Sequence, residues 1–426
     1  MKKENKSKSS EHNFILFDLD TDQNNSPDSL LWCKLNIIAL RQEYFKLLEK
    51  RNQKEIANLI AQKLRCGRST IEKHLIVFKR AEKECSVPIQ VVKELIQFID
   101  PKLKNKINSE ITSLFYTNYK SRPIKAVHLL SLELAEIAGA FAADGYFHES
   151  EKDYYLKITE GYKETVIALA DKLKQVFDYE PRFTFADNAW NLWIKNKVIG
   201  QYFKHIFGFK PGKKSGTVCM PNRIKESDSE LQKAFVRGVF TFDGCIKTNG
   251  NIALSTKSKL LMDDVVRILE AENVSYQLNF NEKKNFWNLE SNSGRDSKLL
   301  IQWKEFFFQD SIKYKRIQFF LGELKDNHSL AELFPQHHHS KITSKQLYGL
   351  LRKANKVEIE DLAQLLKMNN IQIANTTLYK YLHILEKANL IRKETYQIKT
   401  SKNAFSKMIY SIVEQDVIST KQNSKN

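Results

Sequence analysis

The feature that most constrains this chain is that part of it is written twice. The stretch LAEIAGAFAADGYF, from Leu134 to Phe147, is echoed by LQKAFVRGVFTFDGCI, from Leu231 to Ile246. Placing Asp243 over Asp144 sets Gly238 over Gly139, Ala234 over Ala135 and Thr241 over Ala142, at an offset of 99 residues. Downstream, the triplet Trp190-Asn191-Leu192 recurs as Trp287-Asn288-Leu289 at an offset of 97. Two separate matches at nearly one offset imply a duplicated half-domain, and a duplication outranks any local pattern inside it.

Both copies continue in the same order. After the motif helix comes alternating strand material, DYYLKIT in one and NIALSTK in the other. An amphipathic helix is next (YKETVIALADKLKQVF; SKLLMDDVVRILEAEN), then a strand pair carrying the Trp-Asn-Leu triplet, then a last helix. The pattern is αββαββα twice over, so an α+β body with two sheets and pseudo-two-fold symmetry is expected.

The motif helices themselves are thin. Ala135, Gly139 and Ala142 stand at i, i+4 and i+7 on one face, as do Ala234, Gly238 and Thr241. Glycine costs a helix interior roughly 1 kcal/mol against alanine. Its presence at the same point of both copies fits two helices packed backbone to backbone along their small faces. Such packing brings the two C-terminal ends together, and with them Asp144 and Asp243. A helix C-terminus is negative, so an aspartate there is unfavourable, and two side by side repel each other as well. A cation relieves this, and oxygen-only ligands suit magnesium. The alternative for either motif alone is a surface aspartate before a turn glycine.

The chain has 426 residues and a formal net charge of +18, an excess that favours a polyanion as partner. Its basic residues are spread through the folded segments and alternate with aromatics, as in NLWIKNK and SIKYKRIQFF. That distribution suits a long contact along double-stranded DNA, with RNA a lesser alternative. Lys157, Lys195 and Lys257, in the strand material, are candidate contacts. A generic lysine-rich surface is the competing explanation. No apolar run approaches the ~18 residues of a membrane span, and the lysine-rich start lacks the apolar core of a signal peptide. The five cysteines form no CxxC pair, so a reducing, cytoplasmic setting is expected.

The flanks read as separate modules. Residues 1–28 are polar and are expected to be a mobile leader. Residues 29–100 are expected to be an all-α helix-turn-helix domain: Ile56, Leu59, Ile60 and Leu64 at helical spacing, a break at RCGRS, then Ile71, Leu75 and Phe78 inward. Arg68, Thr70, Lys73, Lys79 and Arg80 would point outward to a major groove. A ligand-free helical hairpin is the alternative. Residues 101–130 are expected to be a linker, as are 331–342, where His337, His338 and His339 lie close enough for a metal but suit a solvated linker better. Residues 343–414 read as a winged helix, three helices and a hairpin. Asn375, Thr376, Thr377, Tyr379 and Lys380 would face bases, with Lys393 and Lys399 near phosphates; a protein-interaction module is the alternative. Residues 415–426 form a tail.

The motifs AEIAGAFAADGYF and FVRGVFTFDGCI, with their spacing and the order of the strands and helices downstream of each, resemble the two signature helices of single-chain LAGLIDADG homing endonucleases. The resemblance covers roughly Ser131 to Glu323, with halves at 131–228 and 229–330. The segment GKKSGTVCMPNRIKESDSELQKAFVRG, residues 212–238, is similar to the lead into the second motif in archaeal members. The resemblance implies parallel motif helices at a pseudo-dyad, two sheets cradling a duplex, and a monomeric enzyme. It implies magnesium or another divalent metal held at Asp144, Gly145, Asp243 and Gly244, cutting both strands across the minor groove. It further implies a basic residue beside the metals, best matched by Lys214 with Lys313 or Lys315 as counterpart, and polar residues near Glu160 and Thr256. Two departures stand out: AFAADG in the first copy where bulkier residues are common, and Phe242 before the second aspartate. Neither removes an acid. A charged start at Met1 and the ending KQNSKN do not suggest an embedded intein. A second reading remains open, a domesticated DNA-binding regulator that no longer cuts; retained aspartates favour the enzyme, and two extra DNA-reading modules favour the regulator.

Overall fold

Two glycines set the geometry of the centre. In the computed structural model, helix α6 (Leu132–Asp144) lies against helix α10 (Ser229–Asp243) with no side chain between them at the crossing. A Cβ placed on Gly139 would collide with the Phe235 carbonyl oxygen and sit 3.1 Å from the Gly238 Cα. A Cβ on Gly238 would collide with the Glu136 carbonyl oxygen and sit 2.7 Å from the Ala140 nitrogen. Ala135, Ala142, Ala234 and Thr241 are buried along the same contact. The residues described are 15, 16, 19, 31–80, 83–99, 103–116, 122–150, 153–291, 296–324, 342–369, 371, 373–399 and 404–413.

The elements before this pair are β1 (Leu31–Asn36), α1 (Ile38–Lys50), α2 (Gln53–Leu64), α3 (Arg68–Arg80), β2 (Glu84–Pro88), α4 (Ile89–Ile96), α5 (Lys104–Ser109), β3 (Ile111–Tyr116) and β4 (Ile124–Lys125). The strands form one antiparallel sheet in the order β2-β1-β3-β4. Two sequence expectations are therefore corrected. Residues 29–100 are not all helical, because Leu31, Cys33 and Leu35 alternate inward and need strand partners. Residues 101–130 are not a bare linker, since β3 and β4 complete that sheet and bury Ile111, Leu114 and Ile124. The leader is corrected at three positions: Ile15, Leu16 and Leu19 are buried, and the Ile15 N–H donates to the His128 carbonyl at 2.9 Å. Apolar side chains within a polar stretch find a core to enter.

Each motif helix runs without a loop into its sheet. After α6 come β5 (Gly145–Glu149), β6 (Tyr154–Glu160), α7 (Lys163–Phe177), β7 (Arg182–Ala186), β8 (Ala189–Ile194), α8 (Lys197–Gln201) and a π-helical turn, Tyr202–Ile206. A short helix, α9 (Asn222–Lys225), leads to α10. Beyond it lie β9 (Gly244–Ile246), β10 (Ile252–Thr256), α11 (Lys259–Ala271), β11 (Gln277–Asn281), β12 (Phe286–Glu290), α12 (Ser297–Lys304) and α13 (Ile312–Leu321). The sheets have matching orders, β5-β6-β8-β7 and β11-β12-β10-β9 read from opposite ends. Gly145 and Gly244 make the helix-to-strand junctions possible: a Cβ on either would strike the carbonyl oxygen of Phe141 or Phe240, residues that are themselves related by the 99-residue offset. The duplication legible in the sequence is thus a duplication of structure, α+β as expected.

The halves are also tied by charge. Glu136, buried on α6, accepts from Arg237 Nη1 of α10 at 2.5 Å and pairs with Lys172 Nζ of α7 at 2.6 Å. The final elements are α14 (Ser344–Ala354), β13 (Lys356–Glu358), α15 (Ile359–Met368), α16 (Asn375–Lys387), β14 (Ile391–Lys399) and β15 (Ala404–Ile412), with sheet order β13-β15-β14. α14 opens on a reciprocal capping box between Thr343 and Gln346. The histidines at 337–339, the rest of the 331–341 linker and the tail at 415–426 lie outside the described residues.

Because the glycine contact leaves no room, Gly139→Val should lower unfolding free energy by at least about 2 kcal/mol. Gly216→Ala, whose added Cβ meets nothing within 4 Å, should change it by no more than about 0.5 kcal/mol. Urea unfolding followed by circular dichroism compares the two.

Candidate metal centre and nucleic-acid interface

The backbone contact delivers the two motif helices to a common end, where Asp144 and Asp243 close α6 and α10. They share a cleft of about 480 Å³ lined also by Gly145, Lys214, Thr256 and Lys257. Asp144 is solvent-exposed and Asp243 half-buried, yet protein crowds both on the cleft floor. That crowding, then the Asp243 charge and the Glu160 charge, push the Asp144 carboxyl up to about 7. Asp243 is also raised, chiefly by desolvation, against the pull of Lys214 and Lys313 and a hydrogen bond with Asp144. Asp243 thus makes Asp144 harder to ionise, while the hydrogen bond from Asp144 steadies the Asp243 carboxylate.

Two lysines answer the opposing helix dipoles. Lys214 Nζ donates to the carbonyls of Ala142 at 2.6 Å and Ala143 at 2.8 Å, the last turn of α6. Lys313 Nζ donates to the Phe242 carbonyl at 2.5 Å, the last turn of α10. Their numbers differ by 99, the offset of the aspartates, so they are a repeat-related pair. That signal is present in the sequence and separates Lys313, 5 % exposed, from exposed Lys315. Burial lowers the Lys214 ammonium to about 8 against the pull of both aspartates.

The symmetry is broken beside this pair. Glu160, buried at the end of β6, accepts from Lys313 Nζ at 3.3 Å and from its neighbour's N–H, Gly161, at 2.7 Å. Its positional counterpart on β10 is Thr256, whose hydroxyl oxygen accepts from the Ser258 N–H at 3.2 Å. Lys313 therefore faces a carboxylate across the halves, and Lys214 does not meet one at the equivalent place. Among the described residues no group of three or more His, Cys, Asp or Glu side chains could chelate a metal by itself.

The remaining candidates fall on surfaces. Lys157 on β6 holds its Nζ 5.5 Å from the Trp193 ring, and exposed Lys195 sits 6.0 Å from the Tyr155 ring. Exposed Lys257 borders the carboxylate cleft. On α3, Arg68 and Lys73 are exposed and Thr70 half-buried, Arg68 pairing with Glu72 at 3.2 Å. On α16, Asn375, Thr376, Tyr379 and Lys380 are exposed, and so is Lys393 on β14. Thr377 is corrected: at 9 % exposure it belongs to the inward stripe with Leu378, Tyr381 and Leu385, one helical turn apart, and cannot reach a base. Lys399 ends β14, and its side chain is outside the described residues.

Comparison with known families bears on the second half. A LAGLIDADG-like domain model matches residues 230–302, from α10 into α12. Among curated proteins, the replication factor C small subunit of Methanocaldococcus jannaschii is 31% identical over 138 residues, covering 32% of this chain. The DNA polymerase II large subunit of Thermococcus kodakarensis is 20% identical over 259 residues, 58% of this chain. The chain spans only 7% and 13% of those two proteins. Among solved structures, I-DmoI in complex with DNA and Mn shows 18% identity over 37% of this chain and 88% of its own, with a TM-score of 0.31. The homing endonuclease I-WcaI bound to its DNA recognition sequence shows 13% identity over 43% and 85%, TM-score 0.31. The N-terminal LAGLIDADG domain of DUF199/WhiA shows 12% over 48% and 88%, TM-score 0.30. I-DmoI has also been solved with DNA and Ca, and a variant of it in the presence of Mg. The mixed α+β fold with antiparallel sheets matches the LAGLIDADG fold. No helix among the described residues is long and apolar enough to cross a membrane.

The raised carboxyl has a consequence for stability. Between its ordinary 3.8 and about 7, Asp144 keeps a proton in the fold that the unfolded chain has released, so stability falls as pH rises through that window. Metal-free protein should therefore melt at a lower temperature at pH 8 than at pH 5, by a few degrees. Asp144→Asn should flatten that difference in calorimetry run in chelator.

Proposed function

We propose that the chain is a site-specific, divalent-metal-dependent endonuclease of the LAGLIDADG homing type acting on double-stranded DNA. The observation that carries the reading is the pair Asp144 and Asp243 in one cleft at two abutting helix ends, each end capped by a repeat-related lysine. Two crowded carboxyls, both raised by burial and one raised further by the other, call for a positive counter-charge, and a fold needing only stability has no use for them. The donor set is all oxygen, which fits magnesium better than softer ions. Asp144 and Asp243 would hold it, and water and phosphate oxygens would fill the rest of its coordination, since the described residues bring no cluster of three such ligands together. Bound there, the ion would activate water and stabilise charge on the scissile phosphate.

The protein's own residues would do the rest. Lys214 and Lys313 neutralise the helix ends and place positive charge near the phosphates. The sheets that spring from Gly145 and Gly244 would flank the carboxylates and hold the duplex over them. The net charge of +18 supplies the attraction for the duplex. The exposed polar residues of α3 and α16 would lengthen the footprint, α16 in a winged-helix arrangement; they are also what favours a DNA-binding regulator that does not cut.

In magnesium, duplexes selected from a library should acquire paired nicks. Asp144→Asn or Asp243→Asn should slow cleavage by about a thousandfold or more while affinity stays equal or rises. Sites that are bound and never cut by the native protein would leave the regulator reading. Affinity itself should drop about a thousandfold between 50 and 200 mM salt if six or more phosphates are neutralised. A filter-binding titration at several salt concentrations measures that slope.

A further inference from the structure

The two sheets share a frame but do not present the same chemistry. Strand register fixes which residues are equivalent. On the face away from α7, one row reads Arg182, Trp193, Lys157, Tyr146 across β7, β8, β6 and β5. The matching row away from α11 reads Gln277, Glu290, Ala253, Cys245. The next row inward is Thr184, Asn191, Thr159 in the first sheet and Asn279, Asn288, Ser255 in the second. The first face is cationic and aromatic. In these rows the second face carries amides and no arginine or lysine. Its one charge, Glu290, is held by Lys247 at 2.5 Å and by the Asn251 amide at 3.3 Å.

The central amides are fixed rather than loose. Asn288 Oδ1 accepts from Ser255 Oγ at 2.8 Å, as Asn191 Oδ1 does from Thr159 Oγ1 at 2.9 Å. With their oxygens engaged alike in both sheets, Asn288 and Asn191 do not set the faces apart; the differences are Gln277 against Arg182 and Asn279 against Thr184. Gln277 and Asn279, on the outer strand, are exposed. In a major groove an amide pairs in bidentate fashion with adenine N6 and N7, and a guanidinium with guanine O6 and N7.

We infer that the two sheet faces read chemically different half-sites: an A·T-rich one read by Gln277 and Asn279, and one holding a guanine contacted by Arg182. The inference rests on the DNA-binding reading above and assigns base preference within it.

Enrichment of randomised duplexes by the full-length protein in calcium tests this. The expected consensus has one A·T-rich half. Asn279→Arg should move one position in that half from adenine to guanine by about tenfold or more and leave the other half unchanged. Gln277→Arg should do the same at a neighbouring position, which guards against a single poorly folded variant. Arg182→Gln should relax one guanine in the opposite half. An enriched consensus that is G·C-rich in the half answering to Asn279→Arg overturns the inference. So does a consensus indifferent to all three substitutions, with DNA binding itself intact. Failure to enrich any duplex sinks the DNA-binding reading, and this inference with it.

Discussion

Everything at the centre of this molecule depends on one contact, the approach of α6 and α10 at Gly139 and Gly238 where neither helix has room for a Cβ. Close packing at that crossing fixes the distance between two helix ends and so forces two aspartates into one cleft. The carboxylates do not create this arrangement; they are tolerated by it. Lys214 and Lys313 make it tolerable, each donating to the carbonyls that end a motif helix. The dipole problem posed by an aspartate at a helix C-terminus is answered by a cation from elsewhere in the same repeat.

On this symmetric frame the chain hangs unequal parts. Glu160 engages Lys313 where the other half has Thr256. Glu136 of the first motif helix pairs with Arg237 of the second, although the repeat places Phe235 at the equivalent of Glu136. Such a buried pair is costly to break from one side, about 3 to 5 kcal/mol when a partner is removed. It holds the two helices in one register where small side chains alone would permit sliding. Duplication sets the frame, and divergence at the sheet faces gives each half its own surface.

The legible part of the fold is the part that repeats. The offset of 99 residues exposes the motif helices, their small faces and the aspartates, because identity at a fixed spacing does not depend on knowing any contact. The N-terminal region is less legible. The α2–α3 pattern is local and visible, but β1, β2 and β3 pair across long separations and each is only five or six residues long. Short strands carry little periodicity, so the helices beside them dominate the pattern. Thr377 is misleading for a related reason: a polar residue at a helix start is expected to face out, while its position one turn before Tyr381 turns it in.

The sequence by itself determined that the body is doubled, that two acids end two thin helices, and that the chain is strongly basic. Those are properties of residue identity and spacing. Only the tertiary structure decided that Lys214 and Lys313 donate to the carbonyls that end the motif helices, that Glu160 reaches across to Lys313, and which side chains share a row on each sheet face. Those depend on strand register and on the meeting of residues more than 150 positions apart, and no local pattern encodes a distance of that kind.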